Sequence, residues 1–259
     1  MKKSIPTLVA AICLSAAATT TQATNTFELD HTDRGSFQNP FSPITGGFKF
    51  TEGNYQVRAI NTEILDGNIF GAPLEQERNY HTFDLSSLSG TITGATLRIY
   101  VPLDAGALYQ SSDLSETINL FDVSTAASVL LDPDSDLSGT ANNAYNDLGS
   151  GNSYGSFVVN STDVDTYIDI DLTPNAFALA DLNAAVGSGS WSVGGALVFN
   201  GSYGSSSSFI SERVLGDGED LVNGGLPAQL VLTGGNLVPE PSSLALLGLG
   251  GLIAMRRRR

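Results

Sequence analysis

Apolar and polar residues alternate along this chain in short runs, broken by clusters of Gly, Asn, Asp and Ser. Alternation with a period of two is the signature of a strand with one buried face. The runs are Tyr55–Ile60, Tyr80–Leu85, Ala95–Val101, Thr117–Val123, Ser156–Val159, Thr166–Leu172, Ser192–Phe199, Ser208–Val214 and Ala228–Leu232. Strands at this spacing predict an all-β fold, a β-sandwich or jelly roll. In Ala95–Val101 the core face is Ala95, Leu97, Ile99 and Val101, with Thr96, Arg98 and Tyr100 opposite. In Thr166–Leu172, Ile168, Ile170 and Leu172 oppose Tyr167, Asp169 and Asp171. One short helix interrupts the pattern. Thr173 suits its N-cap, Pro174 its first position and Gly187 its end. Phe177, Leu179, Ala180, Leu182 and Val186 would form its apolar stripe. The polar stretch Asp132–Gly155 reads as a long surface loop.

The two ends follow other patterns. Lys2 and Lys3 precede an apolar run from Ile5 to Ala18, and Thr21-Gln22-Ala23 places small residues where a signal peptidase wants them. Residues 1–23 therefore read as a signal peptide cut between Ala23 and Thr24. Cys13, the one cysteine, lies inside this segment, so the mature chain has no thiol chemistry. Residues 238–259 hold Pro239-Glu240-Pro241, an apolar helix from Leu244 to Met255, and Arg256, Arg257, Arg258 and Arg259. The prolines predict an extended, exposed spacer. Counted from Ser242 to Met255, the segment spans about 21 Å as a helix, shorter than a bilayer core of about 30 Å. Its glycines and the arginines behind it favour the membrane nonetheless, with the arginines holding that end on the cytoplasmic side. Residues 24–237 are left as the β-sandwich body, outside the inner membrane.

Pro239-Glu240-Pro241, the apolar helix and the arginine cluster, in that order, resemble the PEP-CTERM sorting signal of Gram-negative bacteria. The resemblance implies recognition by an exosortase, a membrane-embedded cysteine transpeptidase, and removal of the tail near the prolines. It also implies delivery to the cell surface or an exopolysaccharide matrix. The body has its own resemblance. Glu77 to Leu85 and Gly90 to Arg98 are similar to exported bacterial β-sandwich modules, many of which carry such a tail. A fainter similarity is to carbohydrate-binding-like surface modules.

Charge separates the ends from the body. The chain carries −15 overall, but residues 24–238 hold six basic and 26 acidic side chains, a net charge of −20. A body this acidic lacks the basic face that nucleic-acid binding requires.

Candidate chemistry in the body is sparse, and the expectation is no enzyme. Gly151-Asn152-Ser153-Tyr154-Gly155 matches the nucleophile-elbow pattern. An elbow needs a strand before the serine and a helix after it, whereas a strand-like run follows here. His31 and His81 have no metal-ligand spacing. Asp163, Asp165, Asp169 and Asp171 read as an acidic solubilising face. Calcium is the one cofactor the spacing brings up, at Asp132, Asp134 and Asp136. That match breaks at Leu137, where an EF-hand has Gly, and at Asn143, where it has Glu. The overall expectation is a non-enzymatic surface protein, passed through the export machinery and an exosortase-like transpeptidase. It would sit at the inner membrane at least transiently and contact exopolysaccharide. The alternatives are a carbohydrate-binding module using Trp191 as a stacking platform and, last, a polysaccharide-processing enzyme.

Overall fold

The computed structural model describes residues 24–39, 48–50, 55–61, 75–101, 109–110, 114–131, 139–198, 210–215 and 226–239. Two antiparallel sheets face each other as a β-sandwich. The smaller sheet has four strands in the order β1 (Thr24–Asp30), β13 (Gln229–Pro239), β6 (Leu88–Val101) and β10 (Thr166–Asp171). The larger sheet runs β7 (Tyr109–Gln110), β12 (Ile210–Val214), β4 (Val57–Asn61), β5 (Glu75–Asp84), β11 (Ser190–Leu197), β8 (Ser115–Asp122) and β9 (Ser153–Asn160). Strand β2 (Asp33–Gln38) branches from β5 and carries β3 (Phe48–Phe50) on its other side.

The alternation in β6 holds: Ala95, Leu97, Ile99 and Val101 are all buried. They meet Phe83, Ile118, Leu120, Trp191 and Val193 of the larger sheet in the main core. In β10, Ile170 is buried and Ile168 packs against that core, as does Leu172 just beyond the strand. The two sheets are also joined by a polar link, the Tyr55 hydroxyl donating to the Tyr100 carbonyl at 3.0 Å.

Among the described residues three helices accompany the strands: α1 (Ala127–Leu131), α2 (Gly139–Asp147) and α3 (Ala176–Ala185). The stretch expected as one long loop therefore contains α2 and the start of β9. Its polarity misled because α2 buries only small or amphipathic side chains, Ala141, Ala144 and Tyr145. With Leu130 and Leu148 they cover Phe37 and Tyr80 in a second core. Gly194 permits that contact: a Cβ there would come within 2.6 Å of the Leu148 carbonyl oxygen.

The predicted helix forms, but Asn175 caps it, its side chain accepting from the Ala178 N–H. Thr173 is drawn off to β6, where its hydroxyl accepts from the Ala95 N–H at 3.2 Å. The buried stripe is Ala178, Leu182 and Ala185, leaving Phe177 57% exposed. Gly187, with φ +69°, stands just past the helix end as expected.

Strands β1 and β2 were not legible as core strands. In β2 one face puts Phe37 into the second core while the other is polar: Arg34, Ser36 and Gln38 stand opposite His81, Asn79 and Glu77, and all six are buried. The predicted strand at Ala228–Leu232 runs on to Pro239, past the body boundary expected at 237.

Candidate functional site

The first and last strands of the body are neighbours, with Thr24 opposite Gly235 and Asp30 opposite Gln229. The antiparallel register sends both ends of the body out on the same side of the smaller sheet. Strand β13 then continues along β6, where Val238 pairs with Ser89 and Pro239 with Leu88. A bulge precedes those pairs, between Gly235 and Val238, and Asn236 there takes φ +57°. Its carbonyl crowds Gly90, whose own φ of +113° requires glycine.

The bulge turns Leu237 inward. Its side chain is fully buried in the main core, while Val238 stays 43% exposed. Two side chains secure the carbonyls of this segment. The Asn25 amide donates to the Leu237 oxygen at 2.8 Å, and the Ser89 hydroxyl reaches the Val238 oxygen at 3.4 Å. Pro239 needs no ladder donor at this terminal strand position, which suits a residue without an N–H. Pro239 is thus the paired end of a strand, where an exposed spacer was expected.

The turns beside this exit carry few charges. Ser86, Ser87 and Ser89 flank the β5–β6 turn, and Gly187 to Ser190 join α3 to β11. The two turns are bonded together, Leu85 N–H to Gly189 O at 2.9 Å and Gly187 N–H to Leu85 O at 3.0 Å. Asp84 stands at the edge of this region. Its pKa lies below the usual carboxylate range because Ser86 hydrogen-bonds it.

Glu240, Pro241, Leu244, Met255 and Arg256, Arg257, Arg258 and Arg259 lie outside the described residues, as do Ala23 and the segment before it. Asp132, Asp134 and Asp136 lie outside them as well. Among the described residues no helix is long and apolar enough to cross a membrane, and no cluster of three His, Cys, Asp or Glu is placed to hold a metal.

Trp191 is a core residue and offers no platform. It is 3% exposed, with Tyr154 stacked on it at 5.8 Å and Phe83 against it at 5.9 Å. It borders a cavity of about 550 Å³ with Tyr154, Asp122, Asp181, Ser188 and Ser190. The Tyr154 hydroxyl donates to Asp181 at 2.6 Å. Burial, then that carboxylate, raise the phenol's pKa far above the ordinary value.

Ser153 opens strand β9, so no helix follows it, and its hydroxyl accepts from the Gly155 N–H at 3.2 Å. The acidic face is more occupied than its spacing indicates. Asp169 pairs with Arg98 at 2.9 Å, Asp165 accepts from Tyr100 at 2.5 Å, and Asp163 and Asp171 cap local backbone turns.

The histidines, 50 positions apart, come together with ring centroids 6.3 Å apart. His31 Nδ1 accepts from the Ala228 N–H at 2.9 Å, whereas both nitrogens of His81 are buried without a hydrogen bond. Burial, then the Arg34 guanidinium, lowers the His31 pKa to about 4. Burial, His31 and Arg34 depress His81 in the same direction.

Sequence reasoning missed Asn25, Ser89 and Leu237, the residues that tie the C-terminal segment to the body. The alternation carried no signal for them, because the bulge puts Leu237 out of phase with Leu230 and Leu232. No curated protein matches the sequence. Residues 237–259 do match a family model, and what emerges from the last strand of this sandwich is a PEP-CTERM protein-sorting motif.

Proposed function

We propose that the protein is an exported, non-enzymatic surface protein, processed by an exosortase-like transpeptidase and released to the cell surface or extracellular matrix. The observation that supports this reading is the match of residues 237–259 to a sorting motif joined directly to the end of strand β13. The precursor would be held at the inner membrane by the apolar segment from Leu244 to Met255, its body on the outer side. The body's −20 charge keeps it soluble and repels it from anionic lipid, while the serine-rich turns beside Pro239 give the membrane a weakly charged face. Once released, the acidic body would contact exopolysaccharide, with divalent cations bridging like charges.

Mass spectrometry of the protein from an exosortase-bearing host tests the reading. Mature chains starting at Thr24 and ending near Pro239, in the surface or matrix fraction, are expected. A cytoplasmic chain with both ends intact would overturn it.

A second reading, sugar binding, keeps one supporting observation, the cavity between Asp122 and Asp181. With the face of Trp191 covered, such a site would hold a small sugar through carboxylates and hydroxyls. A glycan array on the exported body tests it: selective binding lost in Asp181→Asn supports the site, and an array without selectivity removes it.

A further inference from the structure

We infer that the folded body holds the start of its own sorting motif closed, and that Asn25, Ser89 and Leu237 are positioning residues setting how fast the motif is processed. The inference rests on the exosortase reading above and goes beyond it.

The sorting motif begins at residue 237, and residues 237–239 belong to strand β13. An enzyme that cuts a peptide bond needs several extended residues on both sides of that bond in its cleft, free of other pairing. The residues before Glu240 are not free. Leu237 is fully buried, Asn25 holds its carbonyl, Ser89 holds that of Val238, and Pro239 lies against Leu88. Only one paired residue of the strand separates Val238 from the motif's Glu240. Backbone upstream of the cut can therefore enter a cleft only after this end of β13 leaves β6 and Leu237 leaves the core.

The covalent step itself is ordinary acyl transfer. The peptide C–N bond breaks, the carbonyl carbon bonds to the enzyme's thiol sulfur, and the departing amine takes the thiol proton. The body contributes no group to it. It sets the fraction of precursor in which the segment is open, and the observed rate follows that fraction when opening is fast relative to cleavage. The strand end is a natural place for such opening, since ends of sheets fray most readily.

The test is a pulse-chase of the full chain in an exosortase-bearing host, reading the half-time for loss of the C-terminal tail. Inserting Gly-Ser-Gly-Ser-Gly-Ser between Val238 and Pro239 leaves Leu237 in the core and frees the motif. Processing at least fivefold faster is expected. A lock works in the opposite direction. Ser89 and Val238 are cross-strand partners, so Ser89→Cys with Val238→Cys creates a disulfide in a mature body that otherwise lacks cysteine. Processing should slow at least fivefold and recover on adding a membrane-permeant reductant. Thermal melts confirm that both variants keep the wild-type fold. Half-times within twofold of the wild type in insertion and lock alike, with the tail still lost, overturn this inference and leave the exosortase reading standing. A tail retained in every chain, the wild type included, overturns both.

Discussion

The side-chain amide of Asn25 donates to the carbonyl oxygen of Leu237 at 2.8 Å, tying the second residue of the first strand to the first residue of the sorting motif. Leu237 is fully buried, so this link joins the body's interior to its exit. Replacing Leu237 with Ala should cost about 2–5 kcal/mol through lost burial and a residual cavity. Asn25→Ala should cost about 1 kcal/mol, the net worth of one hydrogen bond. Urea unfolding of the purified protein checks both, and equal costs would contradict the assignment of Leu237 to the core.

Stability should depend on pH through the two histidines. The folded pKa of His31, about 4, lies below the ordinary 6.5, so the unfolded chain binds more protons between those values. The contribution is fully present above pH 6.5 and is lost as pH falls toward 4. His81 acts in the same direction, buried beside His31 and Arg34. His31 alone should remove roughly 2 kcal/mol between pH 7.5 and 4.5, and His81 adds to the loss in the same direction. Urea midpoints over this range measure the slope. The double variant His31→Gln, His81→Gln should flatten it, and an unchanged slope would assign the effect to other groups.

Arg58 and Glu77 form a buried ion pair at 2.5 Å, with Gln56 also donating to Glu77. Removing one partner strands a charge, so Glu77→Ala should cost about 3–5 kcal/mol. Replacing both, Arg58→Met with Glu77→Leu, should cost far less than the single change. A double change as costly as Glu77→Ala would show that the pair supplies net stability.

Gly194 faces the backbone of Leu148, the residue that closes α2 against the sheet. A methyl group there meets the carbonyl oxygen and Cα of Leu148 at 2.6 and 2.8 Å, atoms that cannot swing away. Gly194→Ala should destabilise by about 1–3 kcal/mol, the usual cost of overpacking. Amide exchange should quicken in α2 before it does in β6, and uniform quickening would place α2 in the same cooperative unit as the sandwich.

The strands easiest to read were those whose two faces differ in chemistry. Leu97 and Ile99 against Thr96 and Arg98 announce a half-buried strand, and β6 follows that pattern. Strand β2 was illegible for the opposite reason. Arg34, Ser36 and Gln38 are buried against other polar side chains, so no apolar alternation survives in the sequence. Helix α2 was hidden by its Asn, Asp and Gly content, which local propensity assigns to turns. The sorting motif was legible because its parts are covalent neighbours in a fixed order. Its attachment was not, because Asn25 and Leu237 meet across 212 positions.

The same separation bears on when the body can fold. Strand β13 sits between β1 and β6, so the smaller sheet has a gap until the last strand arrives. That strand follows every other described strand in chain order, and its pairing with β1 is among the most distant of the described pairings. Pairings between remote segments form slowly. The smaller sheet would therefore close only when the segment that opens the sorting motif docks between β1 and β6, which makes the start of that motif also the last stitch of the fold.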